Sequence, residues 1–310
     1  MFSVIFPGQG SQSVGMTKDL YDKYSYVREL FKIADEILGY SLSQIMFEGS
    51  QEDLNLTENT QPAILLSSLS IFEMIKRDSH IDLREAKYFA GHSLGEYSAL
   101  AASGSLDFKS AIKLLNDRGK AMQYSVPKGS GGMVAVLGSE INHITNLLKK
   151  NKDKYNCFLA NDNSNGQVVL SGLNSDLEKL IINLNNEKIK NVKLPVSAPF
   201  HCKLMNHATN IMKDKILTCN FKRPQNIIIS NVTALEAQEP ESIKKLLIRQ
   251  IESPVRWRES ILYMINKGVS KFIEIGPGKV LSGLVKRIDR NVSVNTINRH
   301  EDLNLISLND

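Results

Sequence analysis

The sequence predicts an α/β protein with a largely parallel, hydrolase-like sheet and a smaller inserted domain. Two observations support this prediction. Short apolar runs alternate with longer segments of helical periodicity, and this rhythm changes from about residue 127 to residue 197. The 310 residues are enough to bury the core of one large domain that carries an insertion.

The first elements alternate between strand and helix. The apolar run 4–6 enters a Pro-Gly-Gln-Gly turn, which is typical of a buried strand. Apolar residues at three- and four-residue spacing over 20–38 predict one amphipathic helix that stops at Gly39. Thr60 and Pro62 predict the first turn of a second helix. A strand over 88–90, a helix from Glu96 and a helix over 109–117 follow.

The middle of the chain predicts a second, smaller unit in the order β-α-β-β-α-β, which is that of a ferredoxin-like domain. Its predicted strands cover 133–137, 156–160, 167–171 and 192–196, and its predicted helices cover 141–150 and 177–184. We therefore assign 127–197 to an inserted domain, and 1–126 with 198–310 to the large domain. The large domain resumes with predicted strands at 227–229 and 272–275.

Composition excludes several classes of function. The net charge of +5 is mild and diffuse, which argues against a nucleic-acid partner. No apolar run reaches the roughly 18 residues of a membrane span, and the start lacks the pattern of a secretory signal. The three cysteines have neither the pairing of a disulfide framework nor the spacing of metal ligands. We expect a cytoplasmic monomer without a membrane or metal partner.

The strongest local signal is the pentapeptide Gly91-His92-Ser93-Leu94-Gly95, between a predicted strand and a predicted helix. In that context the pattern is typical of a nucleophile elbow, where the glycines allow a sharp turn that presents Ser93 at a helix N-terminus. The helix end supplies N–H groups and a positive dipole for a developing oxyanion. The alternative is a glycine-rich turn with a capping serine.

A serine needs a nearby base to act as a nucleophile at neutral pH, and histidine is the commonest. Among the six histidines, His201 follows a predicted strand and a proline turn, where the inserted domain returns to the large one and a cleft would form. Position alone leaves this assignment open. The other five lie beside the serine, in helical stretches or in polar loops: His92, His143, His207, His80 and His300.

The chain also resembles the malonyl-CoA:acyl carrier protein transacylase family. The similar blocks occur in the family's order and span nearly the whole chain. They are Phe6-Pro7-Gly8-Gln9-Gly10-Ser11-Gln12, Thr60-Gln61-Pro62-Ala63, Gly91-His92-Ser93-Leu94-Gly95-Glu96-Tyr97, Arg118-Gly119-x-x-Met122-Gln123, Gly166-Gln167-Val168-Val169, Ser197-Ala198-Pro199-Phe200-His201, Ser253-Pro254-Val255-x-Trp257 and Gly276-Pro277-Gly278. One block departs from the family, because Asn165 stands where many members have proline.

The resemblance implies a role for each matching residue. Ser93 is the implied nucleophile and His201 its acid–base partner. The main-chain carbonyl of Gln250 takes the place of a triad carboxylate in orienting the histidine. The main-chain N–H groups of Gln9 and Leu94 form the implied oxyanion hole.

The resemblance also implies the substrate. A malonyl group differs from an acetyl group by one carboxylate, which a guanidinium can bind through two parallel hydrogen bonds, and Arg118 matches the family's arginine. Phe200 matches the bulky residue that leaves little room for branched acyl groups. Asn161 and Asn163 match residues that line the cleft from the inserted domain.

The implied activity is transfer of malonyl from malonyl-CoA to the phosphopantetheine thiol of a holo-acyl carrier protein, through a malonyl-Ser93 intermediate. The resemblance implies no metal or redox cofactor. The carrier is expected to be acidic, and Lys190 and Lys286 are candidate docking residues. A chain with nothing fused to the unit favours fatty acid synthesis over polyketide synthesis.

Two other functions were weighed. A thioesterase or patatin-like lipase would share the elbow, but patatin-like enzymes use an aspartate base in an Asp-Gly motif, which this chain lacks. A non-catalytic scaffold descended from an acyltransferase would have lost Ser93 or His201, and both are present.

Overall fold

A computed structural model describes residues 1–127, 129–196 and 198–305. Ser197, which begins one family block and ends the predicted inserted domain, lies outside these residues. The strands are β1 Phe2–Phe6, β2 Tyr88–Gly91, β3 Gly131–Leu137, β4 Phe158–Ser164, β5 Gln167–Leu173, β6 Lys190–Lys193, β7 Ile227–Ile229, β8 Glu236–Ala237, β9 Lys271–Ile275 and β10 Ser293–Ile297.

The α-helices are α1 Lys18–Lys23, α2 Ser25–Leu38, α3 Leu42–Glu48, α4 Gln51–Asn55, α5 Thr57–Asp78, α6 Gly95–Ala102, α7 Phe108–Gln123, α8 Ile141–Lys150, α9 Asn174–Asn186, α10 Asn206–Thr218, α11 Pro240–Gln250, α12 Trp257–Asn266 and α13 Val280–Ile288. Short 3₁₀ helices cover Leu83–Glu85, Lys203–Met205 and His300–Leu305. None of the helices in the described ranges is long and apolar enough to cross a membrane.

The larger sheet has the strand order β10-β9-β1-β2-β7-β8, and only the β7–β8 pair is antiparallel. Successive side chains of a strand point to opposite faces. Val4 and Phe6 therefore pack into the core that α5, α6 and α7 share, whereas Ile5 packs against α12 and α13. Two buried faces explain why the strand sequences are continuous apolar runs. The predicted α/β class with a largely parallel sheet is confirmed.

The second sheet is antiparallel and has the order β4-β5-β3-β6. With α8 and α9 in their places along the chain, this is the predicted ferredoxin-like arrangement. Val134 and Leu170 pack toward these helices, while Met133 and Val169 on the opposite face line the cavity described below. All of these elements fall within 127–197, although the domain bounds themselves stay a prediction.

Strand β4 is tied to the segment that leads into α12. Asp162 N–H donates to the Val255 carbonyl at 2.9 Å, and Val255 N–H donates to the Ala160 carbonyl at 2.8 Å. The Asp162 carboxylate, 2% exposed, accepts hydrogen bonds at 3.0 Å from Nε of Arg258. This join fixes Asn161 and Asn163, on either side of Asp162, next to the serine turn.

The single helix predicted over 20–38 is wrong, because α1 and α2 are separated at Tyr24. That residue is extended (φ −116°, ψ 123°). Its hydroxyl lies 2.6 Å from Nδ1 of His300, and its ring stacks on Tyr26. These tertiary contacts override a hydrophobic period that continues through the break. The glycine stop is confirmed, since Gly39 adopts φ 74° after α2.

The start of the second predicted helix is also wrong. Helix α5 begins at Thr57 and contains Pro62 in its interior. Proline has no N–H to donate to the carbonyl four residues earlier, which belongs to Glu58. That carbonyl accepts instead from Nδ2 of Asn116 on α7 at 3.0 Å. The side chain of Thr60 does not cap the helix but donates to the Leu54 carbonyl.

Three predicted elements near the cavity also have different bounds. Strand β4 starts later and runs to Ser164, with two bulges that shift its register. Strand β6 ends at Lys193 instead of residue 196, because 194–196 leave the sheet and line the cavity. Helix α7 continues to Gln123, so Arg118 lies in its interior and not at its end.

Two glycines in helices test how closely α5 and α7 pack. A Cβ at Gly119 of α7 would lie 2.5 Å from the Thr57 carbonyl oxygen, whereas a Cβ at Gly283 of α13 would meet nothing within 4 Å. We expect Gly119→Ala to lower the free energy of unfolding by about 1–3 kcal/mol, through overpacking. Gly283→Ala should raise it by about 0.5–1 kcal/mol, through helix propensity. Urea unfolding of both variants measures this, and equal effects would contradict the packing.

Candidate active site

Ser93 occupies a sharp turn between β2 and α6, with φ of 54° in the left-handed region. The glycines around it leave no room for side chains. A Cβ at Gly91 would lie 1.9 Å from the carbonyl carbon of Gly95, and a Cβ at Gly95 would lie 2.3 Å from the Phe6 carbonyl oxygen. The turn is thus pressed against the end of β1, as a nucleophile elbow requires.

Asn231, which follows β7, forms two hydrogen bonds with the backbone of this turn. Its Oδ1 accepts from Ser93 N–H at 2.7 Å, and its Nδ2 donates to the Gly91 carbonyl at 2.7 Å. Both bonds are local to the turn, and Asn231 is fully buried. They stabilise a backbone conformation that a non-glycine residue rarely adopts. Sequence reasoning missed Asn231, since nothing in its local pattern distinguishes it from a loop asparagine.

His201 lies where the sequence predicted a base. Its Nε2 is 2.8 Å from Oγ of Ser93, and its Nδ1 is 2.9 Å from the Gln250 carbonyl oxygen. A carbonyl only accepts hydrogen bonds, so Nδ1 carries the proton and the lone pair of Nε2 faces the serine. Within the described ranges, none of the five other histidines forms a hydrogen bond with the Ser93 hydroxyl.

The surroundings keep the imidazole neutral. Burial, and then the nearby positive charge of Arg118, lower the pKa of His201 to about 3. A neutral imidazole can accept the serine proton throughout the neutral pH range.

Arg118 is 1% exposed and lies beside the serine. Its Nη2 is 3.2 Å from Oγ of Ser93 and 2.9 Å from Oε1 of Gln250, and its Nη1 is 2.8 Å from Oε1 of Gln61. Its Nε has no hydrogen-bond partner. Gln61 belongs to the family block Thr60-Gln61-Pro62-Ala63. The sequence does not predict its contact with the guanidinium, because the two residues are 57 positions apart.

A cavity of about 230 Å³ opens over Ser93. Gln9 and Leu94 both line it, and within the described ranges neither N–H donates a hydrogen bond. Free donors at the edge of a cavity suit a developing oxyanion. A larger cavity of about 390 Å³ is lined by neither Ser93 nor His201, so cavity volume alone does not identify the candidate active site.

The other predicted substrate residues also line this cavity. Asn163 Oδ1 lies 2.9 Å from Nε2 of His92, and Asn161 Nδ2 lies 3.4 Å from the same nitrogen. The Oδ1 of Asn161 is buried without a partner. Phe200 closes part of the wall and is 6% exposed. The sequence does not favour His92 as the base, and in the structure this histidine joins the elbow to the second sheet.

The two predicted docking lysines are not among the residues that line the cavity. Lys190 is exposed on β6. Lys286 is exposed on α13, and its amine donates to the Val292 carbonyl at 2.7 Å. Their docking role stays a prediction. In the described ranges, no three His, Cys, Asp or Glu side chains are grouped so that they could hold a metal ion.

Glu96 is a buried acid that sequence reasoning did not single out as a site residue. It is 2% exposed, and its Oε2 accepts from Nε2 of Gln250 at 2.7 Å and from Asn231 N–H at 3.1 Å. Burial raises the pKa of Glu96 to about 7, although the two hydrogen bonds and the charge of Arg118 oppose the rise.

The parallel sheet, the serine turn and the serine–histidine contact define the class of α/β enzymes that act through a serine nucleophile. The chain belongs to the acyl transferase domain family, which matches residues 3–300. The resemblance predicted from the sequence is therefore confirmed, and the chain is an acyltransferase.

Relatives extend over the full length. The malonyl CoA-acyl carrier protein transacylase of Bacillus subtilis (strain 168) is 42% identical over 97% of this chain and 94% of its own. The acyl-carrier-protein-S-malonyltransferase of Bartonella henselae is 38% identical, with a TM-score of 0.95 over 98% of this chain and 97% of that one. A malonyl-transacylase solved in complex with its type II PKS acyl-carrier protein is 38% identical, with a TM-score of 0.93 and 97% of both chains covered.

The raised pKa of Glu96 links its proton to stability. The folded chain holds the proton up to about pH 7, whereas the unfolded chain releases it near pH 4.5. Stability from this group is therefore present below pH 4.5 and lost as the pH rises to about 7. We expect the free energy of unfolding of wild type, relative to Glu96→Gln, to fall by about 3 kcal/mol over this interval. Urea unfolding at several pH values measures the difference, and a constant value would contradict the burial.

Proposed function

We propose that this chain transfers the malonyl group of malonyl-CoA to the phosphopantetheine thiol of a holo-acyl carrier protein. One observation carries the proposal: a buried guanidinium, Nη2 of Arg118, lies 3.2 Å from the hydroxyl of Ser93. The acyl group that reaches the serine should therefore carry a negative charge of its own. The full-length relatives named malonyl CoA-acyl carrier protein transacylase support the same conclusion.

The first half-reaction loads the enzyme. Nε2 of His201 takes the hydroxyl proton of Ser93 as Oγ attacks the thioester carbonyl. The N–H groups of Gln9 and Leu94 stabilise the negative charge that develops on the carbonyl oxygen. The carbon–sulfur bond then breaks, the coenzyme A sulfur takes the proton from Nε2, and malonyl remains as an ester on Ser93.

The second half-reaction runs the same steps in reverse with a new thiol. His201 Nε2 takes the proton of the phosphopantetheine thiol, and the sulfur attacks the ester carbonyl on Ser93. The carbon–oxygen bond breaks, and Oγ recovers the proton from Nε2. One thioester is exchanged for another. The serine, the base and the oxyanion donors supply each step, so we propose that no metal or redox cofactor takes part.

Selection of malonyl over other acyl groups rests on whether the buried charge of Arg118 is paired with an anion. A malonyl carboxylate pairs with Arg118, whereas an acetyl group leaves the buried guanidinium without an anion and keeps its desolvation cost. Phe200 fills part of the cavity wall and disfavours branched acyl groups. Asn161 has an unpartnered buried oxygen, and we propose that it and Asn163 contact the substrate from the second sheet.

The product, a malonyl-carrier protein, supplies malonyl groups for fatty acid synthesis. One structural neighbour is a transacylase solved with a type II PKS carrier, so a polyketide carrier is the second candidate acceptor. Transfer rates to purified carriers of the two kinds, each in holo form, separate the candidates.

Intact-protein mass spectrometry after brief incubation with malonyl-CoA or acetyl-CoA tests the proposal. We expect wild type to gain one malonyl mass and Ser93→Ala to gain none. Arg118→Ala should lower the ratio of malonyl to acetyl loading by about 10- to 100-fold, because hydrogen bonds to charged groups contribute about 1.5–3 kcal/mol. The ratio for Arg118→Lys should lie between those of wild type and Arg118→Ala, since an ammonium lacks the bidentate fork.

Ser98→Ala is the matched control for the nucleophile. It removes another buried hydroxyl, on α6, that has no hydrogen-bond partner. This variant should load malonyl as wild type does. A wild type that takes up no acyl group, or that releases free malonate steadily, would favour the scaffold or the hydrolase instead.

Docking of the carrier at Lys190 and Lys286 is tested separately. We expect Lys190→Glu and Lys286→Glu to slow malonyl transfer to the carrier several-fold at low salt, with a smaller effect at high salt, because rim charges act mainly on association. Loading from malonyl-CoA should not change. The control is the same charge reversal at Lys32 on α2, because this lysine faces Glu36 and is not predicted to contact the carrier. An unchanged transfer rate at every ionic strength removes the assignment.

A further inference from the structure

Arg118 lacks the partner that a buried guanidinium usually has. Its hydrogen bonds go to the amide oxygens of Gln61 and Gln250 and to the Ser93 hydroxyl, all of them neutral groups. Within the described ranges, no carboxylate forms an ion pair with it. A buried charge without a counter-charge is costly. The surroundings of Arg118 should therefore contain a compensating charge that stops short of contact.

Glu96 supplies that charge in its ionised form, and the side chain of Gln250 separates it from the arginine. Nε2 of Gln250 donates to Oε2 of Glu96 at 2.7 Å, and Oε1 of the same amide accepts from Nη2 of Arg118 at 2.9 Å. Gln250 is fully buried. The two charges are thus linked through a single neutral amide and attract each other without touching.

Only one orientation of this amide satisfies its neighbours. A guanidinium donates and never accepts, so the oxygen of Gln250 must face Arg118. The amide nitrogen then faces three acceptors, which are Glu96 Oε2, the Ser93 carbonyl at 3.1 Å and Asn231 Oδ1 at 3.4 Å. A rotated amide would place donor against donor on one side and acceptor against acceptors on the other.

We propose that Glu96 and the side chain of Gln250 are positioning residues that hold Arg118, and compensate its charge in part, while keeping it unpaired for the carboxylate of the acyl group. This inference rests on the proposed function and adds the residues that set its selectivity. A carboxylate in direct contact with Arg118 would compete with the substrate, because the guanidinium would already be neutralised. The intervening amide prevents that competition.

A purely structural role for Glu96 is the alternative. Its bond to Asn231 N–H connects α6 to the segment after β7, so loss of Glu96 could simply loosen the fold. Such loosening would lower stability and slow malonyl and acetyl loading together. A positioning role instead changes the ratio between the two substrates, which is the quantity to measure.

The decisive experiment exchanges the two side chains in the double variant Glu96→Gln with Gln250→Glu. The exchange preserves the number of charges, but it moves the carboxylate to the position that contacts Arg118. The main-chain carbonyl of Gln250 that faces His201 is retained. We expect the ratio of malonyl to acetyl loading, measured by intact-protein mass spectrometry, to fall about tenfold or more as the arginine pairs internally.

Glu96→Gln alone is the conservative control. Its amide oxygen can still accept from Nε2 of Gln250, and Arg118 loses its partial compensation without gaining a partner, so the ratio should not fall below that of wild type. If the exchanged protein does not fold, as judged by circular dichroism, Gln250→Met replaces it, and the ratio should again fall because the amide bridge is gone.

Each outcome separates the two proposals. A wild-type ratio in the folded exchanged variant, or in Gln250→Met when that variant replaces it, overturns the positioning role while the transferase stands. A wild type that does not load malonyl overturns the proposed function itself.

Discussion

The site depends on a backbone turn that has no space for side chains at two of its residues. Gly91 and Gly95 bring the turn against the end of β1, where a Cβ on Gly95 would lie 2.3 Å from a main-chain oxygen. That approach places the loops after β1 and β2 at one edge of the parallel sheet, so Ser93 and the N–H of Gln9 border the same cavity. The left-handed conformation of Ser93 is strained, and Asn231 stabilises it from the segment that follows β7.

A second constraint is electrostatic. The centre of the site contains Arg118, Glu96 and His201, all nearly excluded from water. Burial disfavours the charged form of each group, and it shifts the pKa of Glu96 upward and that of His201 downward. The amides of Gln61 and Gln250 satisfy the guanidinium with oxygens that carry no net charge.

The sequence predicts the parts of this structure that are local. The elbow, the apolar strands and the order of the second sheet follow from spacing alone. The break at Tyr24 does not, because its partner His300 lies 276 residues away. Nor does the proline inside α5, because the Glu58 carbonyl that it leaves free is bonded by Asn116, 58 residues beyond Glu58. The resemblance led to Arg118 and to the Gln250 carbonyl, but not to Glu96 or Asn231. Their function is defined only by buried hydrogen bonds between distant segments.

The same distinction explains why the function of the Gln250 side chain, unlike that of its carbonyl, escapes a motif. Its carbonyl accepts a hydrogen bond from His201, while its side chain joins Arg118 to Glu96, so one residue at the end of α11 contacts both side chains that face Ser93. A shift of this helix end would misplace both groups together. In the proposed reaction, this shared residue would keep proton transfer by His201 and carboxylate recognition by Arg118 aligned with Ser93, as preorganisation of a buried site requires.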